Sequence, residues 1–157
     1  LKQASNLDLV TASKSINGAL MLDARNSYLH FFNGFIYHLQ ARQGDGEKTD
    51  MAIEGYRQAV RLEPSNWIAQ EFLGLALMEQ KRYPQAQEAF AEVLLSQPDD
   101  LVVLGRMLAA SYLAGDARSA CAVADQIQAQ PEARTVEFMR TAVSTLLTFC
   151  PPLPPAR

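Results

Sequence analysis

The sequence predicts an all-α chain built from tandem helical hairpins. Three observations carry this. Segments rich in apolar residues three and four positions apart recur along the chain, which is the period of an amphipathic helix. A pattern of alanine, aromatic and proline repeats 34 residues apart, in AIEGYRQAVRLEPSN from Ala52 and AQEAFAEVLLSQPDD from Ala86. No stretch alternates polar and apolar residues for long enough to form a strand.

The elements follow in order. ASKSINGALMLDARN, from Ala12, has Ile16 at the aromatic position and Ala24 at the proline position. A helical pattern then runs from Tyr28 to about Arg42, a second from Trp67 to Gln80, and a third from Leu101 to Ala114. A fourth begins near Val136 and fades toward Cys150. Asn26, Asn66 and Asp100 stand ahead of the first three as cap candidates, because their side-chain oxygens can accept from free first-turn amides. Pro64 and Pro98 close the preceding helices, since proline cannot continue the hydrogen-bonded turn. ACAVADQIQAQPEAR, from Ala120, repeats the pattern with Pro131 one residue early. The total is about seven helices.

Small residues mark where helices approach. Gly34 and Gly74 lie mid-helix at one register, and Ala52, Ala86 and Ala120 hold the matching place in the second helices. A mid-helix glycine costs about 0.5–1 kcal/mol relative to alanine, so its recurrence points to a close crossing. A larger residue at the alanine positions should force the hairpin apart, at roughly 1–3 kcal/mol.

Residues 67 to 100, WIAQEFLGLALMEQKRYPQAQEAFAEVLLSQPDD, resemble one tetratricopeptide repeat through Leu73–Gly74, Tyr83, Ala86, Phe90 and Pro98. Residues 27 to 66 resemble a second copy through Gly34, Tyr37, Ala52, Tyr56, Ala59 and Pro64. Residues 101 to 134 resemble a third through Gly115 and Ala120, with Met107–Leu108 where the leucine–glycine pair should stand. Residues 1 to 26 contain a partial copy, and residues 135 to 150 a partial copy or capping helix. The resemblance implies a solenoid of antiparallel hairpins over residues 1 to 150, a right-handed α-α superhelix, followed by the proline-rich tail PPLPPAR at 151 to 157. That tail reads as disordered, or as a short polyproline ligand for an aromatic groove.

The 27–66 copy has 40 residues, and its surplus falls in ARQGDGEKTD at 41 to 50. Gly44, Gly46 and the flanking charges read as an exposed loop, either a tolerated insertion or a contact site. As an insertion it should be dispensable for folding, and shortening it by six residues would restore the ordinary repeat length.

Composition removes several functions. Fourteen Lys and Arg against 17 Asp and Glu leave a net charge of −3, with no basic field for nucleic acid or anionic membranes. No window can span a bilayer, the best run from Ala142 to Cys150 being too short. Cys121 and Cys150 lack CxxC spacing and a nearby histidine, so no metal set forms. They read as small buried hydrophobes, or as a disulfide that nothing in the sequence compels. The chain opens on Leu1 rather than Met, as a processed product or a piece of a longer protein would, so cytoplasm and periplasm both stay open.

Chemistry-bearing constellations are also missing. His30 and His38, the only histidines, are too far apart for an i, i+4 metal pair and read as structural. There is no nucleophile elbow, phosphate-cradling loop or dinucleotide fingerprint, and GDGEKTD is too short for a calcium loop. The expectation is a non-enzyme without cofactor.

The resemblance implies that the first helices of successive hairpins line a concave surface that binds another protein. Carried over residue by residue, that surface comprises Tyr28, Phe31, Phe35 and His38, then Ile68, Glu71, Leu75 and Met78, then Val102, Gly105, Ala109 and Tyr112, with Arg106 nearby. Val136, Met139, Val143 and Leu146 would extend it. The family's carboxylate clamp of lysine, asparagine and arginine is absent apart from Arg106, so a chain terminus is not the ligand expected there. The expected function is a scaffold holding an apolar or amphipathic helical segment, in an assembly, secretion or envelope-biogenesis system by family analogy. The alternative is a structural segment of a larger protein whose groove is filled by its own chain or a second copy.

Overall fold

The computed structural model describes residues 6–132, 141, 143, 144, 146–148 and 150. Every regular element among them longer than one turn is an α-helix: α1 (Asn6–Leu22), α2 (Ser27–Arg42), α3 (Lys48–Leu62), α4 (Trp67–Glu79), α5 (Tyr83–Ser96), α6 (Leu101–Ala114) and α7 (Ala117–Ala129). The chain divides into two compact units, Leu1–Arg82 and Tyr83–Arg157, so the division falls between the two helices of the 67–100 segment.

The caps form as the sequence requires. Asn26 accepts from the Leu29 amide, Asn66 from the Ala69 amide, and Asp100 from the Val102 and Val103 amides. Each satisfies first-turn donors that would otherwise need water.

In the first unit α1 packs on α2, α2 on α3, and α3 on α4, with α4 also touching α2. The closest approach is between α2 and α3. A Cβ at Gly34 would lie 2.9 Å from the Ala52 carbonyl oxygen and 3.0 Å from the Tyr56 ring. A Cβ at Gly55 would lie 2.7 Å from both Cα and N of Gly34. Bare backbone therefore meets bare backbone, and the mid-helix glycine at 34 acquires its reason together with an unforeseen partner, Gly55. Around this crossing Ala52, Ile53, Tyr56 and Ala59 are sealed. At the far end of the pair the Ser27 hydroxyl donates to Glu63 Oε2 at 2.6 Å.

The surplus of residues 41 to 50 is not one exposed loop. Helix α2 has 16 residues against 13 in α4, so part of the surplus is an added turn of α2 that includes Ala41 and Arg42. Lys48, Thr49 and Asp50 open α3, where Thr49 is buried. Only Gln43–Glu47 lie outside helix, and they are exposed. Deleting six residues would thus remove helical residues along with the exposed turn, and the expectation of one exposed loop is corrected.

In the second unit α6 packs on both α5 and α7. Its core joins Leu104, Val123, Ala124, Ile127 and Val143, with Met107, Leu108, Leu146 and Leu147 packed against it. Leu108 occupies the register of the missing glycine and fills space instead of admitting a backbone. The turn from α6 to α7 is closed by Gly115, whose left-handed φ of 74° a residue with a side chain adopts only with strain. Gln87 Nε2 donates to Ser111 Oγ at 3.0 Å and Asp116 Oδ2 at 3.2 Å, tying α5 to that turn. Asp116 caps α7 by accepting from the Ser119 amide, and hydrogen bonds from Ser119, then Gln87, hold its carboxyl below the usual range.

Cys121 and Cys150 form a disulfide across 29 residues of chain, so the reading of two free buried thiols is corrected. Closing a loop of that size removes unfolded-state entropy worth about 3–4 kcal/mol. The bond fastens Cys150 to α7.

The two glycine environments predict opposite effects of the same substitution. Gly55→Ala should lose about 1–2 kcal/mol, because the clash with the Gly34 backbone outweighs the gain in helix propensity. Gly105→Ala, in the interior of α6 with nothing within 4 Å, should gain about 0.5–1 kcal/mol. Urea unfolding midpoints of the two variants read this directly; a neutral Gly55→Ala would mean that the crossing has slack.

Candidate functional site

The first unit carries an aromatic cluster on α2 and α4. Phe31 and Phe35, one helical turn apart, stack at 6.3 Å between ring centroids. Phe72 of α4 stands edge-on to both, at 5.6 Å and 5.5 Å. Tyr56 of α3 lies beneath, 5.8 Å from Phe31 and 5.9 Å from Phe72. Such pairs contribute about 0.5–1.5 kcal/mol each beyond the area they bury. The three phenylalanines are half-buried while Tyr56 is sealed, so the cluster has an inner floor and an open outer side. Tyr28, 60% exposed, and Phe32, 48% exposed and 5.3 Å from Phe31, extend it toward solvent.

Two helical registers produce this face. Tyr28, Phe31, Phe32 and Phe35 follow i, i+3, i+4, i+7 on α2, and Ile68, Phe72 and Leu75 follow i, i+4, i+7 on α4. Phe72 was missed by the register carried over from the repeat family, which named Glu71 instead. Its spacing from Ile68 and Leu75 is the signal that could have found it.

His38, expected among the partner contacts, is only 6% exposed and faces inward. Its ring lies 6.0 Å from that of Tyr56. Tyr56 Oη sits 3.1 Å from Nδ1, and Glu79 Oε2 sits 2.8 Å from Nε2. Burial, and then the charge of Glu79, hold the Tyr56 phenol well above the ordinary tyrosine range, so its O–H is present to donate to Nδ1. Nε2–H then donates to Glu79, which also receives Arg42 at 3.9 Å. Both ring nitrogens are used inside the protein, and the residue bolts α2, α3 and α4 together. His30 is likewise occupied, its Nε2 lying 2.9 Å from the Ala24 carbonyl.

The remaining sequence candidates divide by exposure. Ile68 is exposed, and Glu71, Leu75 and Met78 are half-buried on α4. In the second unit Val102 and Tyr112 are exposed, Tyr112 at 69%, while Arg106 and Gly105 are half-buried and Ala109 is exposed. Glu71 and Arg106 are each already engaged within the chain. Val143 is a core residue rather than a surface contact, and Leu146 packs beside it. Val136 and Met139 lie outside the described residues. Among the described residues no group of three or more His, Cys, Asp or Glu could hold a metal ion, and no helix is long and apolar enough to cross a membrane.

No family model matches the chain, and no curated protein matches it. Solved structures do. A crystal structure of MamA superposes with a TM-score of 0.68 at 16% identity, covering 90% of this chain and 85% of that one. A MamA RS-1 ArsTM double mutant gives 0.68 at 15% identity, and MamA 41-end from Desulfovibrio magneticus RS-1 gives 0.67 at 15%, each covering 90% of this chain and 82% of the other. At these identities the likeness is one of fold: the chain is an all-α, tetratricopeptide-like solenoid of helical hairpins.

The buried phenol gives stability a defined alkaline limit. Because the folded pKa of Tyr56 exceeds its unfolded value, its contribution is complete below about pH 10 and is lost as pH rises beyond that. Urea midpoints at pH 8 and at about pH 11 should differ more for wild type than for Tyr56→Phe, which in turn should lose about 1–2 kcal/mol at pH 8 with the hydrogen bond to His38. Equal alkaline losses in both proteins would contradict this assignment.

Proposed function

We propose that the protein is a protein-interaction scaffold and that its first unit binds an apolar or amphipathic helical segment on the α2–α4 aromatic face. The observation that carries the reading is the half-open state of the cluster. Phe31, Phe35 and Phe72 are ordered by mutual contact and by Tyr56, yet all three keep an outer edge in water, flanked by Tyr28, Phe32 and Ile68. Rigid aromatic rings bury much area with little loss of side-chain freedom, which is why they dominate binding hot spots. The spacing along α2 and α4 suits a partner helix that presents its own residues at i, i+3, i+4 and i+7. The fold it shares with the MamA structures supports a scaffold role by analogy of architecture.

Tyr28 and Phe32 are the informative positions, because both rings are largely outside the core and their loss should leave folding intact. Helical peptides selected from a random display library against the wild-type protein should carry an apolar stripe. Their affinity for a Tyr28→Ala/Phe32→Ala variant should fall by about 2 kcal/mol, roughly thirtyfold, with the urea midpoint nearly unchanged. Selected peptides that bind the variant as tightly as wild type would show that this face is not the docking surface.

A further inference from the structure

A second feature of the first unit lies away from the aromatic face. A cleft of about 290 Å³ opens between α1, α2 and the start of α3. Its wall includes Ser13, Lys14, Tyr37, Gln40, Asp45 and Lys48. The added turn of α2 makes this cleft: in the repeat register Gln40 corresponds to Gln80, which lies beyond the end of α4, whereas α2 continues to Arg42.

Buried polar residues stand in the wall of the cleft, with exposed charged residues beside them. Ser13, Tyr37 and Gln40 are all buried, Gln40 to 5% exposure, and Gln40 Oε1 has no hydrogen-bond partner among the described residues. A buried acceptor left unmet is unfavourable, and folded proteins keep few such groups except where water or a ligand meets them. The terminal carboxamide torsion is soft, so a modest rotation can offer the oxygen to a donor entering the cleft. Tyr37 Oη accepts from Asn17 Nδ2 at 3.3 Å, which steadies the phenol, and Lys48 Nζ stands 5.7 Å from the centre of its ring. Lys14 and Lys48 bring positive charge to the cleft, and Asp45 brings negative charge.

We propose that this cleft binds a small zwitterion of the amino-acid or short free-peptide class. The two lysine ammonium groups take the ligand's carboxylate, Gln40 Oε1 takes an N–H donor, and Asp45 takes the ammonium end. The volume, at the lower edge of the range for ligand pockets, suits a ligand of one or two residues. Simple anions meet the lysines but leave Gln40 unsatisfied, and simple amines meet Gln40 and Asp45 but leave the lysines unpaired.

The test uses alanylalanine as the probe, with alanylalanine amide, which lacks the carboxylate, and acetyl-alanylalanine, which lacks the ammonium group, as controls. Chemical shifts of the Gln40 side-chain amide in ¹⁵N-labelled protein report on the cleft, and those of the Phe31 and Phe72 backbone amides report on the aromatic face. Alanylalanine should shift the Gln40 signals saturably while Phe31 and Phe72 stay in place. The amide-capped probe should bind at least about tenfold more weakly, as should alanylalanine to Lys14→Gln, whose exposed side chain can change without harm to the fold. Gln40→Leu, followed through the Tyr37 backbone amide because the Gln40 side-chain signals are gone, should remove binding without lowering the urea midpoint, since it deletes an unmet acceptor. The proposal is overturned if no saturable shift occurs at Gln40, if the capped probes bind as tightly as alanylalanine, or if Lys14→Gln leaves the affinity unchanged.

Discussion

The contact between Gly34 and Gly55 governs the geometry of the first unit. Neither position can carry a Cβ without meeting backbone atoms at 2.9 Å or less, so α2 and α3 are as close as two helices can come there. That approach puts the Tyr56 ring under Phe31 and its hydroxyl within reach of His38. His38 then reaches Glu79 at the end of α4, and Phe72 of α4 is drawn against Phe31 and Phe35. One close crossing thus fixes a chain of contacts that ends at the exposed aromatic face. The two glycines give up helix propensity, and the gain lies in dispersion contacts and a satisfied buried network.

The second unit solves the same packing problem by other means. Leu108 stands where a glycine would be expected, and the core around Leu104 and Ile127 is filled by aliphatic side chains rather than by approaching backbones. Constraint comes from covalent and polar ties instead: the Cys121–Cys150 bond, and Gln87 bridging Ser111 to Asp116. Gln126 of α7 and Gln130 at its C-cap add bonds to the Pro98 carbonyl and to Asp99 in the α5–α6 turn.

What could be read from the sequence was what depends on near neighbours along the chain. Asn26, Asn66 and Asp100 cap their helices because a cap reaches only two or three residues ahead. The helix-ending role of Pro64 and Pro98 and the apolar registers of α2 and α4 are equally local. Features that depend on residues far apart were not legible. Gly55 looks like any mid-helix glycine until Gly34 is seen opposite it, and nothing near Cys121 announces Cys150. His38 sits in the register of a surface position, but burial and two hydrogen bonds from other helices turn it inward. The surplus at 41 to 50 misled for a related reason. Glycine and charge mark a turn, but they do not say how far each flanking helix runs into it.

Native-state hydrogen exchange followed by NMR tests the central role of the α2–α3 crossing most directly. If that crossing organises the first unit, the amides of Phe35 to His38 and of Ile53 to Tyr56 exchange only when the whole unit unfolds. Their opening free energies should then equal the unit's unfolding free energy from urea, and those of α1 should fall below it. Amides flanking Gly34 and Gly55 that open well before global unfolding, while α4 stays protected, would contradict the account.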